Sequence, residues 1–379
     1  MKKILKNIAL GAVGALGGGL GMAVILIGLD QFQLGFSDGV ELNIGVSLVL
    51  LYLCIFITLL IHIAFHELGH VVFGLLTGYR FISYRFLSFV IQKKEKGIAL
   101  KRYSVPGTMG QALLEPPERG DGKMPYVWYN LGGVLFNLLL IIISLAVNAV
   151  TTNYYVRFFF TMCIVVGIFL AITNGVPYSE KGVSDGCNLR NCHRHPEKLR
   201  YLYLQLYVVA QLAKGKTWDE MDQEKFVFDK EKEEVNSFTM IKLTYTINML
   251  YNRRDFAGAR EYVELIYNNK ENLNGIHKQG ASVEMAFLEL VGENRREVVE
   301  QFYTKETQKY LKAMKYEVSS YRVQMAYEMY YNHDFITALK CYKMGAETAA
   351  KAPYYGEAIL EKGLLDYLKE RIEELDQIS

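Results

Sequence analysis

A long apolar segment that contains ionisable residues constrains the fold of this chain most. From Ile44 to Leu60 there is no charged residue, and the segment continues as IHIAFHELGHVVFGLLTG. About 20 apolar residues in helical form span the hydrocarbon core of a bilayer, so the stretch from Ile44 to Thr77 predicts a membrane helix. Ionisable groups at membrane depth are costly, and His66, Glu67 and His70 within this helix therefore indicate a functional site.

The composition divides the 379 residues into two unlike halves. The first half has four apolar runs, and the remainder is polar and rich in Tyr, Leu, Lys and Glu. The runs are Leu5 to Leu29, Ile44 to Thr77, Tyr126 to Val150 and Tyr155 to Ile172. We expect an all-α polytopic membrane protein, with four transmembrane helices and a small cytosolic β-hairpin in residues 1–190 and a soluble α-helical repeat domain in residues 191–379.

The distribution of charge predicts the orientation of the spans. Lys2, Lys3 and Lys6 precede the first run, and the loop that follows that run has no Lys or Arg. The second loop, residues 78–125, has nine Lys or Arg against four Asp or Glu. Basic loops stay on the cytosolic side, which predicts a multi-pass protein of the cell membrane with both termini in the cytosol. The net charge of +2 averages the two halves and gives no indication of nucleic-acid binding.

The spacing of His66 and His70 predicts a metal site. Residues four apart project from one face of a helix, close enough for both imidazoles to bind one Zn²⁺. Glu67 lies beside them, where it can accept a proton from the water that the metal activates. The alternative is a pair of core histidines with Glu67 reaching towards water, which the cost of ionisable groups in a membrane makes the weaker interpretation.

Asp185 is the expected third ligand, since a catalytic zinc usually has three ligands from the protein. The fourth apolar run breaks between Asn174 and Pro177 and is followed by Asp185-Gly186. Irregular backbone at membrane depth is tolerated where it lines a polar cavity, which favours a metal role for Asp185. The alternative is an ordinary polar turn after the last span.

Other residues of ligand type have weaker support. His62 lies one turn before His66 and could hydrogen-bond within the metal site, although a buried histidine bonded to backbone is favoured. Another group could form a second metal cluster, but its spacing fits no standard zinc module, and a juxtamembrane segment that contacts lipid headgroups is favoured. That group is Cys187, Cys192, His193 and His195. The five cysteines show no extracellular pairing pattern and are expected to be reduced.

Three separated motifs resemble those of the site-2 protease family of intramembrane zinc metalloproteases. His66-Glu67-x-x-His70 matches the first motif, Gly133-x-x-x-Asn137 the second, and Asn174-x-x-Pro177 with Asp185-Gly186 the third. The resemblance covers roughly residues 44 to 190 and implies Zn²⁺ as cofactor and the bilayer as surroundings. The chain departs from the commoner pattern in its long Asn174 to Asp185 spacing and its single proline, and it has no apparent PDZ-like insert.

Within the second loop, residues 78–118 have the pattern of a β-hairpin. Tyr79 to Gln92 and Ile98 to Val105 are rich in aromatic and β-branched residues, with a polar turn from Lys93 to Gly97. Such a hairpin could hold an extended peptide by main-chain hydrogen bonds, or could simply rest on lipid. Gly107 and Gly110 would allow close backbone approach, and Gln111 could orient a substrate carbonyl.

Beyond Arg194 a pattern recurs at roughly forty residues, a period typical of helical repeats. Asp255, Asn294 and Asp334 stand at matching turns. Each is followed four residues later by an apolar residue, in turn Ala259, Val298 and Ala338. The pattern resembles a tetratricopeptide-type array with a concave surface for a protein or peptide partner, and a plain helical bundle is the alternative.

These observations favour a zinc endopeptidase that cleaves membrane-spanning or membrane-associated peptides near the cytosolic face. His66, His70 and Asp185 would bind the metal, and Glu67 would transfer protons. Asn137 and Asn174 would stabilise the oxyanion or line the site. The rival is a non-catalytic membrane-anchored scaffold, or a peptide sensor or immunity protein with a vestigial metal site. A further alternative is a zinc peptidase that faces the cytosol and is only tethered by its spans.

Overall fold

The computed structural model describes residues 44–94, 97–103, 108–117, 124–177, 184–221, 223–273, 275–352 and 354–378. The predicted first span from Leu5 to Leu29 and the predicted site residue Gly107 lie outside this description. The chain divides into two compact units, of which the first takes residues up to Phe86 together with Met109–Leu199. The second takes Leu87–Thr108 and Arg200–Ser379. This division differs from a boundary at residue 190, because part of the second loop belongs with the helical unit.

Three long helices and a shorter one form most of the first unit. They are α1 (Ile44–Leu76), α2 (Tyr126–Val150), α3 (Tyr154–Gly175) and α4 (Asp185–Arg194). Within the described residues, α1, α2 and α3 are the helices long and apolar enough to cross a membrane. Their outer faces expose apolar side chains such as Tyr52, Ile142 and Val150, which is consistent with membrane association.

Two glycines allow α1 and α2 to approach backbone to backbone. A Cβ atom on Gly69 would lie 2.1 Å from the Gly132 carbonyl oxygen, and one on Gly132 would lie 2.5 Å from the Gly69 carbonyl oxygen. Small residues at such a crossing are typical of helix packing in membranes. Gly69 is the residue before the ligand candidate His70, so this crossing also sets the distance between the histidines and α2.

The second loop has four strands rather than one hairpin. They are β1 (Arg80–Phe86), β2 (Phe89–Lys93), β3 (Ile98–Arg102) and β4 (Gly110–Glu115). The prediction of one strand from Tyr79 to Gln92 is wrong because Leu87, with φ 53°, has a left-handed conformation that interrupts the extended backbone. In the first unit β1 pairs antiparallel with β4, and in the second unit β2 pairs antiparallel with β3. Where the turn from Lys93 to Gly97 was predicted, Lys93 ends β2 and the Lys94 N–H donates to the Gly97 carbonyl oxygen at 3.0 Å.

The second unit is helical apart from the β2–β3 pair. Its helices are α5 (Glu197–Lys214, which begins in the first unit), α6 (Gln223–Phe226), α7 (Met240–Asn252), α8 (Phe256–Asn268), α9 (Gly275–Val291), α10 (Arg296–Phe302), α11 (Lys305–Ala313), α12 (Val318–Tyr330), α13 (Phe335–Lys351) and α14 (Tyr355–Ile378). The Lys101 ammonium donates to the Tyr355 hydroxyl at 2.7 Å, and the Tyr103 hydroxyl donates to Glu317 at 3.0 Å. The β2–β3 pair is therefore fastened to the helices of its own unit.

One turn geometry recurs in the helical unit at roughly forty-residue intervals. Arg254, Asn294 and His333 have left-handed backbone, with φ of 59°, 51° and 55°, before α8, α10 and α13 respectively. Five residues after each of them comes a fully buried residue, in turn Ala259, Val299 and Ala338. The predicted middle position, Val298, is therefore off by one, because Asn294 is equivalent to Arg254 and not to Asp255.

Candidate metal centre

Three side chains from two elements converge in the first unit, and they are the three predicted metal ligands. The Nε2 atoms of His66 and His70 on α1 are 3.1 Å apart. The Asp185 Oδ2 atom, at the start of α4, lies 3.2 Å from His66 Nε2 and 3.4 Å from His70 Nε2. Together these residues form a group that could hold a metal ion. The sequence alone also allowed Asp185 to lie in an ordinary polar turn, away from the two histidines.

The size of this triangle fits a small divalent cation. Ligand atoms at about 2.05 Å from a tetrahedral ion are separated by about 3.3 Å, and the three measured edges lie within about 0.2 Å of that value. Two imidazole nitrogens and one carboxylate oxygen form a donor set typical of catalytic zinc sites. Asp185 Oδ2 is buried, and no hydrogen-bond donor from the described residues satisfies it. The residues present therefore fit a metal ion.

The environment of His70 prepares its Nε2 atom for coordination. Its Nδ1–H donates to the Tyr129 carbonyl oxygen on α2 at 2.7 Å. A neutral imidazole carries one proton, so Nε2 presents its lone pair towards Asp185. Two electron-rich atoms that face each other in a buried place repel unless a cation lies between them. A carbonyl that holds the far nitrogen of a ligand histidine is a common arrangement in metal sites.

The imidazole of His66 lies over a glycine of α2. A Cβ atom on Gly133 would come within 2.4 Å of His66 Cε1 and within 2.6 Å of both ring nitrogens. Residue 133 therefore has to be glycine if His66 is to keep this position. The matching motif of the sequence contained this glycine, but only the structure shows that its role is to make room for the ring.

Asp185 is positioned by the close approach of the end of α3 to the start of α4. A Cβ atom on Gly186 would lie 2.1 Å from the Gly175 carbonyl oxygen. The Ser184 side chain caps α4 by accepting from the Cys187 N–H. Arg190 Nη1 donates to the Pro177 carbonyl oxygen at 3.2 Å, which further fastens α4 to the segment after α3.

Glu67 lies beside the triangle and against β4. A Cβ atom on Gly110 would come within 2.6 Å of Glu67 Cγ, so this glycine permits the predicted close approach. The Ala112 N–H also donates to the Glu67 carboxylate. Gln111 lies between these two residues in β4, half-buried and opposite Arg85 of β1. The strand therefore supports the carboxylate that the sequence predicted to transfer protons.

The two predicted asparagines have different surroundings. Asn137 is fully buried, and its amide lies between His66 Nδ1 at 3.2 Å and His62 Nδ1 at 3.1 Å. Asn174 donates from Nδ2 to the Leu170 carbonyl oxygen of its own helix at 3.0 Å. The structure thus brings Asn137 into direct contact with a candidate ligand histidine, whereas the side chain of Asn174 donates within α3.

His62 contacts both backbone and site, so the two interpretations of this residue were not exclusive. Its Nε2–H donates to the Cys163 carbonyl oxygen on α3 at 2.8 Å, as expected for a buried histidine bonded to backbone. The group formed by Cys187, Cys192, His193 and His195 does not converge as metal ligands within the described residues, where His66, His70 and Asp185 form the group that does. Sequence reasoning missed Tyr129, whose contribution is a carbonyl that any residue type would supply.

No family model, curated protein or solved structure matches this chain in a comparison with known proteins.

Proposed function

We propose that this protein is a membrane-embedded zinc endopeptidase, similar to site-2 proteases, that cleaves transmembrane or membrane-associated peptides near the cytosolic face. One observation carries the proposal: His66 and His70, on a helix long and apolar enough to cross a membrane, converge with Asp185 of α4 beside Glu67. Ionisable groups are rarely kept on such a helix without a function. Release of a membrane-held regulator or maturation of a signal-peptide-like precursor is the expected role.

The chemistry follows from the positions of the residues. Zn²⁺ held by His66, His70 and Asp185 would polarise the scissile carbonyl and activate the attacking water. Glu67 accepts the proton of that water and delivers it to the leaving amine. The Ala112 N–H keeps the Glu67 carboxylate at one side of the ligands while it does so. Because β4 contacts Glu67, a substrate peptide that pairs with this strand would be held in extended form beside the ligands.

The proposed topology has four spans and cytosolic termini in the cell membrane. The three apolar helices of the structure support three of these spans, and the run from Leu5 to Leu29 supplies the first. The excess of Lys and Arg at the amino terminus and in the second loop supports the orientation. Water and zinc would then reach His66 from the cytosol.

The helical unit is proposed to bind a protein or peptide partner through tetratricopeptide-like repeats. The recurrent turns before α8, α10 and α13 support the repeat interpretation. A cavity of about 420 Å³ in this unit supports binding, because it combines positive charge from Arg102, Lys315 and Lys351 with tyrosine rings. The β2–β3 pair contributes Arg102 to this cavity, so a partner would contact the second loop as well as the helices.

A comparison of the wild type with Glu67→Gln tests the enzyme proposal. The full-length protein in lipid nanodiscs is given a library of synthetic single-span peptides, and mass spectrometry detects the fragments. The variant keeps the three ligands and is expected to retain one zinc per chain, but its cleavage rate should fall by about 10²- to 10⁴-fold because the proton acceptor is lost. A zinc chelator should abolish cleavage by the wild type, and added zinc should restore it.

Glu115→Gln is the matched control, because it makes the same chemical change at another buried carboxylate of the first unit. Its cleavage rate should stay within a few-fold of the wild type. Equal cleavage by the wild type and Glu67→Gln would overturn the proposal. If both proteins bind zinc and neither cleaves any peptide, the non-catalytic scaffold or sensor replaces the enzyme.

A further inference from the structure

Three side chains from two helices form a continuous chain of contacts that ends at the metal centre. Asn137 Nδ2 lies 3.2 Å from His66 Nδ1, and Asn137 Oδ1 lies 3.1 Å from His62 Nδ1. His62 Nε2 in turn lies 2.8 Å from the Cys163 carbonyl oxygen. His62 and Asn137 are both fully buried. The hydrogen bonds of this chain therefore have to be satisfied internally.

The donors and acceptors can be assigned from the fixed end of the chain. A carbonyl oxygen only accepts, so His62 Nε2 must carry a proton and donate to Cys163. In a neutral His62, Nδ1 then presents a lone pair and requires a donor from Asn137. A His66 that coordinates through Nε2 carries its proton on Nδ1 and requires an acceptor from Asn137. Both requirements are met when Asn137 directs Nδ2 to His62 and Oδ1 to His66.

In the structure the amide has the opposite orientation, with Oδ1 3.1 Å from His62 Nδ1 and Nδ2 3.2 Å from His66 Nδ1, and in that orientation His66 cannot coordinate through Nε2. With Oδ1 towards His62 and Nδ2 towards His66, His62 has to donate from both nitrogens and is therefore a cation. His66 then accepts on Nδ1, which puts its proton on Nε2, the atom that faces His70 and Asp185. A charged imidazole buried between apolar helices is costly, and the amide orientation of an asparagine is an assignment from its hydrogen-bond network. Burial of a neutral His62 thus favours the flipped amide, in which Nδ2 faces His62, Oδ1 faces His66 and His66 can coordinate.

A glycine on α3 shows that the fold makes room for this histidine. A Cβ atom on Gly167 would lie 2.5 Å from His62 Cε1 and 2.8 Å from His62 Nε2. Gly133 does the same for the ring of His66. Two imidazoles joined by one amide are therefore each seated against a glycine, which limits their freedom to turn away.

We infer that His62 is a positioning residue that acts through Asn137: it orients the amide, and the amide holds His66 in the form that binds metal. This inference rests on the proposed zinc centre and extends it to a residue that touches neither metal nor substrate. It also assigns to Asn137 a structural task within the ligand set, in addition to or instead of contact with an oxyanion. If His62 acts only through Asn137, removing both side chains should lower the zinc affinity no more than removing Asn137 alone.

The test is a double-mutant cycle on zinc affinity. Full-length protein in nanodiscs competes with a fluorescent chelator for Zn²⁺, with no substrate present. Asn137→Leu should weaken zinc binding by about 10- to 100-fold, and His62→Phe by about tenfold. The double variant should match Asn137→Leu within about threefold, because the two residues act in series. His62→Gln, which offers one donor and one acceptor, should restore most of the affinity that Phe removes.

Two further variants separate positioning from folding. Asn148→Leu makes the same change on α2 and removes a 3.1 Å hydrogen bond to Thr161 of α3, so it should leave zinc affinity unchanged. Gly167→Ala keeps His62 but brings a Cβ atom to 2.5 Å from its ring and to 2.7 Å from Ile141 Cγ1. It should weaken zinc binding as His62→Phe does, with Ile141→Ala in the same background relieving the contact that does not involve His62, and it provides the test if the Phe variant does not fold.

Wild-type zinc affinity in both His62→Phe and Gly167→Ala would overturn the inference. It would also be overturned if the fold-losses of zinc affinity in His62→Phe and Asn137→Leu multiplied in the double variant. Either result would leave the proposed function intact if the wild type binds one zinc per chain and Glu67→Gln abolishes cleavage. A wild type that binds no zinc would overturn the metal centre and the inference together.

Discussion

Gly133→Ala is expected to disable the metal centre by adding a single methyl group. The new Cβ atom would lie 2.4 Å from His66 Cε1, whereas ordinary contact begins at 3.4 Å. The contact could be relieved by movement of the imidazole, since the nearest atoms all belong to that side chain. The ring would have to retreat by about 1 Å, which is several times the tolerance of about 0.2 Å in a metal–ligand distance.

The size of the effect follows from this displacement. A misplacement of 1 Å in a catalytic group can cost about 100-fold in rate, and we expect the cleavage rate of Gly133→Ala to fall by at least that factor. Zinc content should fall as well, because one of three ligands leaves its position. The fold should persist, since alanine favours a helix over glycine by about 1 kcal/mol.

The assay measures zinc per chain, cleavage of a membrane-spanning peptide and the thermal unfolding midpoint of the same preparation. Gly175→Ala is the matched control in the first unit. Its Cβ atom would meet Val134 Cγ1 at 3.3 Å, so a shift of a few tenths of an ångström is enough, and activity should change by no more than a few-fold. Full zinc content and full activity in Gly133→Ala would refute the argument that the position of His66 is set by this glycine.

Two further predictions concern carboxylates. Asp185→Asn replaces the anionic ligand by a neutral amide and should lower zinc affinity by at least about tenfold. The helical unit should unfold at an unchanged temperature. Undiminished zinc binding would exclude Asp185 as a ligand. Burial, and then the neighbouring Glu317 and Glu361, raise the pKa of Glu357 to about 8, so the folded chain keeps this proton more tightly than the unfolded chain, whose pKa is near 4.5. The stability that this group contributes is therefore complete below about pH 4.5 and is lost as the pH rises through 8. Glu357→Gln should flatten this decline when the fluorescence of the buried Trp218 monitors unfolding between pH 5 and 9, and an unchanged pH profile would contradict the pKa.

The strands of the second loop were only partly predicted from the sequence pattern. The alternation of residues indicated extended structure, and a turn that includes Lys94 and Gly97, which are joined by a backbone hydrogen bond of 3.0 Å, was predicted. The interruption at Leu87 was not, because a left-handed backbone at a leucine has no signature in the residue type. The strand from Gly110 to Glu115 was missed for a related reason: its glycine indicated close approach, and only the fold shows that the approaching group is Glu67.

The helical unit gives a similar example. The recurrence of a turn followed by a small or apolar residue was visible in the sequence for Asp255, Asn294 and Asp334. The register of the middle copy was not, since Val298 and Val299 are the same residue type and only burial distinguishes them. The structure assigns the buried position to Val299.

Features that depend on residues close together in the chain follow from the amino-acid sequence without knowledge of the fold. A helical period places His66, Glu67 and His70 on adjoining positions of one apolar helix, because four residues make about one turn. Tertiary structure alone decided that Asp185 meets the two imidazoles, that the Tyr129 carbonyl prepares His70, and that the Asn137 amide joins His66 to His62. These contacts depend on how closely the helices pack, and that distance is set by glycines whose role becomes apparent only when the facing backbone or ring is known.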